Sequence, residues 1–455
     1  MSKVTLIAAL LATTLATSAL AAEAPVDVAA ELAAMRARIA GLEAEVAELK
    51  AARSTPAPVP AVVASTSSAA APTSAAASAP AGGSVTFKPF GRLQYDAGRV
   101  ESPRGVNDRG LGFGNEVRRA RIGAEGTIPG GFGYKIEVDF ANNEVEIADA
   151  LLSYKASKAL GLTLGQHNNF QSMEELTSSR FLSFMERAAF TDAFNFERRI
   201  GLSATYASGD VIAQGGVFTD NIEDLADAQD AVGLGDENNA VSFDGRVVYA
   251  PKTGKTQLHL GASAHWRDNG DTAAAGPATR YRQRPFVHTS NSRFLATPSM
   301  RVATETDYGL EAALIRGPLH AVAEAHWLKA DTLTPGLSPT FFGGYAEIGY
   351  FLTGESRGYK GGRWDRTKVL RPVGDGGAGA FQINLRYDHL DLTDGGIVGG
   401  RQRGYEASLV WIAQDHLRFL LNYGHLRYDD AAIPAAGGDR DYDINVFGAR
   451  AQVDF

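Results

Sequence analysis

Three arginines at every second position form the pattern in this sequence that most clearly indicates anion binding. Arg280, Arg282 and Arg284 lie within a long segment, residues 268–303. In an extended chain, alternate side chains point the same way, so the three guanidiniums would share one side. A guanidinium stays charged and offers a planar fork of donors to oxyanions. The pattern predicts a row of weak anion sites, and the alternative is a solvated outer loop that binds lipopolysaccharide phosphates.

A second basic group lies in segments where apolar and polar residues alternate, on the polar side of each segment. Its members are Arg92, Arg119, Arg121 and Lys135. Facing a water-filled passage, these side chains would extend a path for anions. The alternative is that they pair with Glu125, Glu137 and Asp139 and brace a wall. The two roles are compatible.

A third group mixes acids and bases in residues 167–197, which we expect to form a constriction loop. Its members are Glu174, Glu175, Arg180, Glu186 and Arg187. Acid facing base across a narrow passage would create a transverse field that sorts polar solutes by charge and size. The alternative is that Glu186 and Arg187 fix the loop to a wall. The mixed signs argue against a filter that only attracts anions.

Catalytic and metal motifs are weak. Gly254-Lys255-Thr256 resembles the end of a phosphate-binding loop, but Tyr249 stands where the first glycine is required. The histidines His265, His320, His326 and His389 lack ligand spacing, and the chain has no cysteine. We therefore expect no catalytic residue, no metal site and no cofactor. The net charge of −8 gives no reason to expect a nucleic-acid partner.

The N-terminus has the features of an exported protein. Lys3 precedes an apolar stretch, residues 4–20, and Ala19-Leu20-Ala21 is a small-x-small cleavage site, so residues 1–21 are predicted to be a signal peptide. Beyond residue 24 the chain has no apolar run long enough for a transmembrane helix.

Residues 22–52 contain a short heptad pattern. Its apolar positions are Leu32, Met35, Ile39, Leu42, Val46 and Leu49. This spacing is typical of a coiled-coil seam and predicts a periplasmic coiled coil that joins protomers, a trimer being expected. The alternative is a single amphipathic helix. Residues 53–84, almost all Ala, Pro, Ser, Thr, Val and Gly, predict a flexible linker.

From residue 85 to residue 455 the apolar period becomes two. Residues 381–388 and the C-terminal strand that ends at Phe455 both alternate apolar with polar side chains. Charges that face a soluble core would cost several kcal/mol each unless paired, whereas charges that face a wet lumen cost little. This pattern predicts an all-β fold, a sixteen-stranded antiparallel transmembrane β-barrel that follows the helical coiled coil. The alternative is a soluble β-sandwich with one wet face.

The predicted strands begin near residues 85, 116, 132, 145, 160, 198, 210, 241, 256, 304, 319, 341, 377, 402, 416 and 443. Short and long connections tend to alternate between them, as in barrels with short periplasmic turns and long outer loops. The exception is a long segment rich in Gly, Arg and Lys, residues 354–376, at a position where a short turn is due.

Several stretches, in order along residues 85–455, resemble the phosphate- and pyrophosphate-selective porin family of Gram-negative outer membranes. They include Gly91-Arg92-Leu93-Gln94, Arg118-Arg119-Ala120-Arg121-Ile122-Gly123, Tyr134-Lys135-Ile136-Glu137-Val138-Asp139-Phe140, Glu174-Glu175-Leu176-Thr177-Ser178-Ser179 and Phe184-Met185-Glu186-Arg187. The resemblance implies a sixteen-stranded trimeric barrel with inward-folded loops and a basic path for anions. Members tend to carry a lysine two places after the Gly165-Gln166 pair and then a proline, where this chain has Asn168 and Phe170.

Together these features predict a trimeric porin of the Gram-negative outer membrane that passes small anionic solutes, with phosphate or related oxyanions favoured. The expected partners are two further copies, outer-membrane lipid and lipopolysaccharide, and the barrel-assembly machinery through Phe455. The alternatives are a general or sugar-type porin with little charge preference and a protein that tethers the outer membrane to the cell wall.

Overall fold

The structure is a computed structural model that describes residues 84–225, 240–270 and 278–455. Sixteen long strands, numbered here in chain order, form its wall. They are β1 (Lys88–Val100), β2 (Gly112–Ile128), β3 (Phe132–Asp139), β4 (Glu146–Lys155), β5 (Leu160–Asn168), β6 (Arg198–Ser208), β7 (Val211–Phe218), β8 (Val241–Tyr249), β9 (Thr256–Asp268), β10 (Val302–Arg316), β11 (Leu319–Thr332), β12 (Thr340–Phe351), β13 (Ala380–Asp394), β14 (Ile397–Gln414), β15 (Leu417–Asp429) and β16 (Tyr442–Asp454).

Smaller elements lie between these strands. The helices are α1 (Met173–Leu176), α2 (Ala189–Ala193) and α3 (Ile222–Leu225), and three 3₁₀ segments are Ala141–Asn143, Val373–Asp375 and Ala436–Gly438. Short strands are Lys252–Thr253, Arg282–Gln283, Leu295–Ala296, Gly358–Lys360 and Arg363–Asp365. Within the described ranges, no helix is long and apolar enough to cross a membrane.

The wall closes on itself. Each long strand pairs antiparallel with the next, and β16 pairs with β1 from Asp454 opposite Arg92 to Val446 opposite Val100. Phe455 continues this seam, because its backbone N–H and C=O both bond to Gly91 at 3.1 Å. No open edge is left for another chain. The predicted sixteen-stranded antiparallel barrel is therefore confirmed.

Two predicted strand starts were off by several residues. Strand β2 begins at Gly112 rather than near residue 116, and β14 begins at Ile397 rather than near residue 402. In the second case Gly395 and Gly396 both have positive φ, 59° and 88°, so the chain reverses in a tight turn and β14 starts earlier.

Side chains alternate between lipid and lumen as the sequence pattern predicts. On β13, Leu385 is 61% exposed on the outer face, while its neighbours Asn384 and Arg386 are buried on the inner face. Exposed Leu260, Leu310 and Leu421 continue the outward apolar belt on β9, β10 and β15. This distribution matches a barrel whose outer surface meets acyl chains and whose interior is polar.

The two ends of the barrel differ in their connections. One end has tight turns such as residues 129–131 and 317–318, and the other has long loops, of which residues 169–197 and 269–301 are the longest between described strands. Short turns face the periplasm in bacterial barrels of this kind. Residues 352–379, the exception noted in the sequence, lie at the short-turn end.

This periplasmic segment turns into the barrel instead of leaving it. The guanidinium of Arg246 on β8 donates to the carbonyl of Gly362 at 2.7 Å, and the ring of His259 on β9 shares a 2.7 Å hydrogen bond with Tyr359. The backbone N–H of Trp364 donates to Thr177 in the loop that enters from the other end. The lumen is therefore narrowed from both sides.

Residues 169–197 and 278–301 fold inward, and their apolar side chains form a cluster with apolar residues of the wall inside the lumen. Phe190 and Phe286 belong to this cluster, together with wall residues such as Leu390 and Leu426. The Phe286 ring lies so close to β14 that a Cβ at Gly404 would be 2.6 Å from it. The signal peptide, the coiled coil and the linker lie outside the described residues and stay predictions.

Candidate functional site

The constriction loop begins with a helical turn that the wall holds in place. The Glu324 carboxylate on β11 accepts hydrogen bonds from the N–H groups of Met173 at 2.9 Å and Glu174 at 2.8 Å. It also accepts from the Ser172 hydroxyl at 2.8 Å. These N–H groups at the start of α1 have no acceptor within the helix, so the Glu324 carboxylate supplies one. Their hydrogen bonds in turn stabilise the charge of this carboxylate.

Arg386 on β13 ties the same turn to the wall. Its guanidinium pairs with Glu174 and with Glu347 on β12, both at 2.8 Å. The guanidinium also lies over the Phe184 ring, 4.4 Å from its centroid. Glu174 and Arg386 are only 2% and 1% exposed, so Glu174 anchors the loop and does not line the open passage.

Further along the loop, the Asp388 carboxylate on β13 accepts from the Ala189 N–H at 2.9 Å. The acidic stretch of wall made by Glu324, Glu347 and Asp388 is thus covered by the loop, and each carboxylate has a donor there or on the wall. These carboxylates are therefore buried beneath the loop and do not contact the open passage.

Arg187 braces the loop from within. Its side chain donates to the carbonyls of Glu174 at 2.9 Å, Glu175 at 3.1 Å and Thr177 at 2.9 Å. It also pairs with the Glu175 carboxylate at 3.3 Å. These contacts of Arg187 lie within the loop and not between the loop and the wall, as the alternative had suggested. Its guanidinium also lines the cavity described below.

Glu186 fixes the other side of the loop to the basic wall. Its carboxylate accepts from Arg118 on β2 at 3.1 and 3.2 Å and from Arg450 on β16 at 3.0 Å. Burial opposes ionisation of this carboxyl, but the charges of Arg118 and Arg450 outweigh it and hold its pKa well below the usual range. Glu186 therefore stays charged in the passage.

Arg118 reaches the lumen through a β-bulge that the sequence did not reveal. The register between β1 and β2 shifts so that Gln94 faces Arg119 while Tyr95 faces Val117. One residue is thereby left over, and both Arg118 and Arg119 lie on the inner side. Strict alternation would have sent Arg118 toward lipid. The Arg119 guanidinium donates to Gln94 at 3.0 Å.

The predicted basic group on β1 to β3 is brought together and paired with acids. Arg92 contacts Glu137 at 2.5 Å and Arg121 contacts Asp139 at 2.7 Å. Glu125 was suggested as a third partner but pairs with Lys88 instead, at 3.5 Å. The brace interpretation is therefore correct for these contacts.

Lys135 and a neighbouring arginine, Arg198 on β6, share Asp149 at 2.5 and 2.8 Å. The cations are the more exposed partners, since the side chains of Lys135 and Arg198 are 31% and 27% exposed and that of Asp149 is 8% exposed. Water in the passage therefore meets positive charge first along this side.

The arginine row of residues 280–284 is partly extended, as predicted. Arg282–Gln283 pairs with Leu295–Ala296. Arg280 and Arg282 are exposed, and Tyr281 between them is buried. Arg284 differs from this exposed pair because it contacts Asp192 in α2. Its backbone N–H donates to the Asp192 carboxylate at 2.7 Å, and its guanidinium lies 3.6 Å from the same carboxylate.

A polar cavity of about 200 Å³ lies where these groups meet. Its lining includes Arg118, Arg187, Arg284, Glu175, Glu186 and Asp192. Three of the predicted loop residues and one residue of the arginine row are thus brought together, whereas Arg280 and Arg282 do not line this cavity. Arginines and carboxylates on one small cavity create the transverse field expected of a constriction.

Glu175 is a carboxyl group in this cavity whose protonation would change the charge of the passage. Burial raises its pKa above the usual range, although the charges of Arg187, Arg198, Arg119 and Arg121 act in the other direction. A raised pKa means that this carboxyl takes up a proton above the ordinary glutamate value of about 4.3.

We expect anion preference to increase as the pH is lowered from neutral, because protonated Glu175 no longer offsets the surrounding arginines. In Glu175→Gln the preference should already be high and should change less with pH. Reversal potentials in a salt gradient, measured at several pH values, check this. Equal pH dependence in both proteins would contradict it.

Arg180 lies apart from the other predicted loop residues. It pairs with Asp454 at 3.5 Å, close to Arg366 of the periplasmic segment and Arg418 on β15. The Arg418 guanidinium donates to the carbonyls of Arg180 and Leu182. No sequence pattern indicated this cluster, because its members are far apart in the chain.

Among the described residues, no group of three or more His, Asp or Glu side chains is arranged to hold a metal ion.

Comparisons with known proteins agree with this architecture. The family described as phosphate-selective porin O and P matches residues 87–455. An uncharacterized protein of Caulobacter vibrioides is 49% identical over 453 residues, which cover 95% of this chain and 91% of that one. Porin O of Pseudomonas aeruginosa is 26% identical over 400 residues, 79% of this chain and 86% of that one.

Among solved structures, an anion-selective porin from Comamonas acidovorans has the same fold. Its TM-score is 0.50 at 13% identity, covering 82% of this chain and 100% of that one. Family and fold are those of outer-membrane channels rather than enzymes. The chain therefore belongs to the phosphate-selective porin O and P family and is a porin of the outer membrane.

Proposed function

We propose that this porin passes small anions by diffusion and favours oxyanions such as phosphate. The observation that carries the proposal is an asymmetry around the lumen. The constriction loop buries the wall carboxylates Glu324, Glu347 and Asp388. It also contacts the basic wall through Glu186, but Lys135, Arg198 and Arg118 keep exposed surface.

On the acidic side, the side chains of Glu324 and Glu347 are 0% and 2% exposed, and Asp388 is 0% exposed. Backbone N–H groups of the loop donate to Glu324 and Asp388, and the guanidinium of Arg386 pairs with Glu347. Because these carboxylates are buried beneath the loop, they do not contact a passing ion.

On the basic side, Lys135 and Arg198 are the exposed partners of a mostly buried Asp149. Arg118 and Arg187 are each 18% exposed at the polar cavity. At the cavity these arginines face Glu186 and Asp192, which are 21% and 38% exposed. The excess of exposed positive charge therefore lies at Lys135 and Arg198, where it raises the local concentration of anions. The overall charge of −8 does not decide selectivity, because the field in a narrow passage depends on the nearest exposed groups.

Three arginines around one cavity support the preference for oxyanions. Arg118, Arg187 and Arg284 present planar donor groups that suit phosphate oxygens. The cavity of about 200 Å³ has room for a small oxyanion and a few waters, at about 30 Å³ per water. Arg280 and Arg282, exposed above it, would give weak sites on the approach.

The departure at Asn168 and Phe170 leaves the start of the loop without a cation. Phe170 packs against Phe218, and the Asn168 amide donates to the Glu175 carbonyl at 3.2 Å. These positions therefore serve loop packing, and the proposed anion sites rest on the arginines instead. The printed family description, and the name of the anion-selective porin that shares the fold, agree with the proposal.

Planar-bilayer reversal potentials, with chloride and phosphate in competition, test the proposal. We expect anion preference and a block of chloride current by phosphate. The triple variant Arg280→Ala, Arg282→Ala, Arg284→Ala should weaken both, because removing three approach charges lowers the local anion concentration. The matched control is Arg401→Ala, Arg403→Ala, Arg427→Ala, which removes three exposed arginines from ion pairs on the outer face.

Two outcomes would favour other functions. A wild-type channel with no charge preference, and a triple variant with unchanged conductance, would indicate a general or sugar-type porin. Purified protein that gives no conductance would indicate a tethering role. Cation preference would overturn the anion proposal itself.

We further propose that the chain assembles as a trimer through a periplasmic coiled coil at residues 22–52. The support is the heptad spacing in the sequence. The mass of the complex in detergent, measured for the full chain and for a variant lacking residues 22–52, tests it. Recognition of Phe455 by the barrel-assembly machinery stays a prediction.

A further inference from the structure

The outer face of the wall carries a large apolar groove, about 920 Å³ in volume, over strands β11 to β16 and β1. Small residues, Ala97, Ala407 and Ala449, occupy outward positions in it, and larger Tyr350 and Tyr423 stand beside them. Replacing bulk by alanine at adjacent outward positions forms a depression in a surface that is otherwise convex. The groove faces the bilayer, because the neighbours of each alanine along the strand are buried toward the lumen.

Arg99 lies at the edge of this groove and points outward. It is the penultimate residue of β1 at the end with long loops, so it lies near the outer surface of the membrane. Its cross-strand neighbours, Phe113 and Phe447, are 69% and 54% exposed. Among the contacts of the described residues, no carboxylate pairs with Arg99. An unpaired arginine on the lipid face is strongly destabilising at the bilayer midplane but is tolerated near the interface.

The charged groups around Arg99 already have partners within the chain. Glu101, two residues on, accepts from the Asn445 side chain at 2.7 Å. On the next strands, Asp443 pairs with Arg427 at 3.3 Å and Asp429 with Arg403 at 2.6 Å. Asp443 and Asp429 are thus held in ion pairs and Glu101 is hydrogen-bonded to Asn445, and none of the three contacts Arg99. The donors of Arg99 are therefore available.

We propose that the groove and Arg99 form a binding site for a phosphorylated glycolipid of the outer leaflet, the lipid A part of lipopolysaccharide. An acyl chain would lie along the alanines, and a phosphate would meet the Arg99 guanidinium at the rim. An apolar channel that ends at an unpaired guanidinium matches an amphiphile with a chain and an anionic head.

A second copy of the chain fits this feature less well. In the proposed trimer each contact joins two different surfaces. The outward carboxylates Asp391, Asp429 and Asp443 are already in ion pairs, so a neighbouring copy that presented them would bring no free carboxylate to Arg99. A stable protein interface also calls for a broad complementary surface and not only a groove. Charge complementarity thus favours the lipid.

The site is tested with purified full-length protein and two probes, diphosphorylated lipid A and its dephosphorylated form. Bound lipid is counted by native mass spectrometry. Arg99→Gln should weaken binding of the diphosphorylated probe about tenfold, the loss of one charge-assisted contact, and should leave the weaker binding of the dephosphorylated probe unchanged. Ala407→Trp, which fills the groove, should weaken binding of both probes.

Arg316→Gln is the matched control, because Arg316 is an exposed arginine at the other end of the wall. It should bind both probes as the wild type does. Binding of diphosphorylated lipid A that is unchanged in Arg99→Gln overturns the proposal. The proposal is also overturned if Ala407→Trp binds lipid A as the wild type does but no longer forms the oligomer. The groove would then be a contact between subunits. Channel conductance is expected to stay unchanged in Arg99→Gln, so this test is separate from that of anion transport.

Discussion

Replacing Arg386 by methionine is expected to destabilise the folded barrel by about 3–5 kcal/mol, the usual effect of removing one partner from a buried ion cluster. The side chains of Glu174 and Glu347 would then be left charged at 2% exposure with no cation beside them. The start of the constriction loop should detach from the wall, and the channel should become noisier and more conductive. Urea unfolding in detergent and single-channel recordings measure the two effects.

An exposed ion pair on the outer face supplies the control for this prediction. Arg401 pairs with Asp391 at 2.7 Å, but their side chains are 47% and 26% exposed. Arg401→Met should therefore cost less than about 1 kcal/mol. The variant Arg386→Met, Glu174→Gln, Glu347→Gln should regain part of the lost stability, because the buried charges are removed together. If Arg386→Met unfolds at the same urea concentration as the wild type, Arg386 does not anchor the loop.

Arg118→Glu is expected to lower the anion-to-cation permeability ratio at least about tenfold, which corresponds to 1.4 kcal/mol. The substitution changes the charge at the cavity by two units. It also places a second carboxylate beside Glu186, which keeps Arg450 as its partner at 3.0 Å. Arg118 is 18% exposed, so its charge is only partly screened by water. Reversal potentials in a salt gradient give the ratio directly.

The control here is Arg403→Glu, the same change of charge on the outer face of β14, where Arg403 pairs with Asp429. Its permeability ratio should remain close to that of the wild type. Similar shifts in both variants would mean that overall charge, and not the charge at the cavity, determines selectivity. A variant Glu186→Gln should shift the ratio in the opposite direction from Arg118→Glu.

Much of the fold could be predicted from the sequence, because a strand in a membrane barrel must alternate apolar and polar residues along its whole length. Leu385 outward beside Asn384 and Arg386 inward is one case. This requirement is local, so the sixteen strands and their lipid and lumen faces follow from the pattern alone. Two adjacent glycines, Gly395 and Gly396, also indicate a tight turn before β14. The predicted start of β14 did not take this signal into account.

The candidate site could be predicted only in part. The sequence correctly placed Arg92, Arg119, Arg121 and Lys135 on the inner face, and the contacts of Glu186 do fix the loop to the wall. It did not identify Arg118, whose direction depends on a bulge in the pairing of β1 with β2. It also grouped Arg180 with Glu175, although Arg180 lies with Arg366 and Arg418 at Asp454.

The sequence by itself therefore determined which side chains face lipid and which face water, since that depends on a two-residue period along each strand. Only the tertiary structure decided which lumen charges meet. Glu174 and Arg386 are separated by more than two hundred residues and come together because the loop folds onto β13. Whether a charge acts on a passing ion depends on its exposure and its partner, and both are fixed by how the loops pack inside the closed wall.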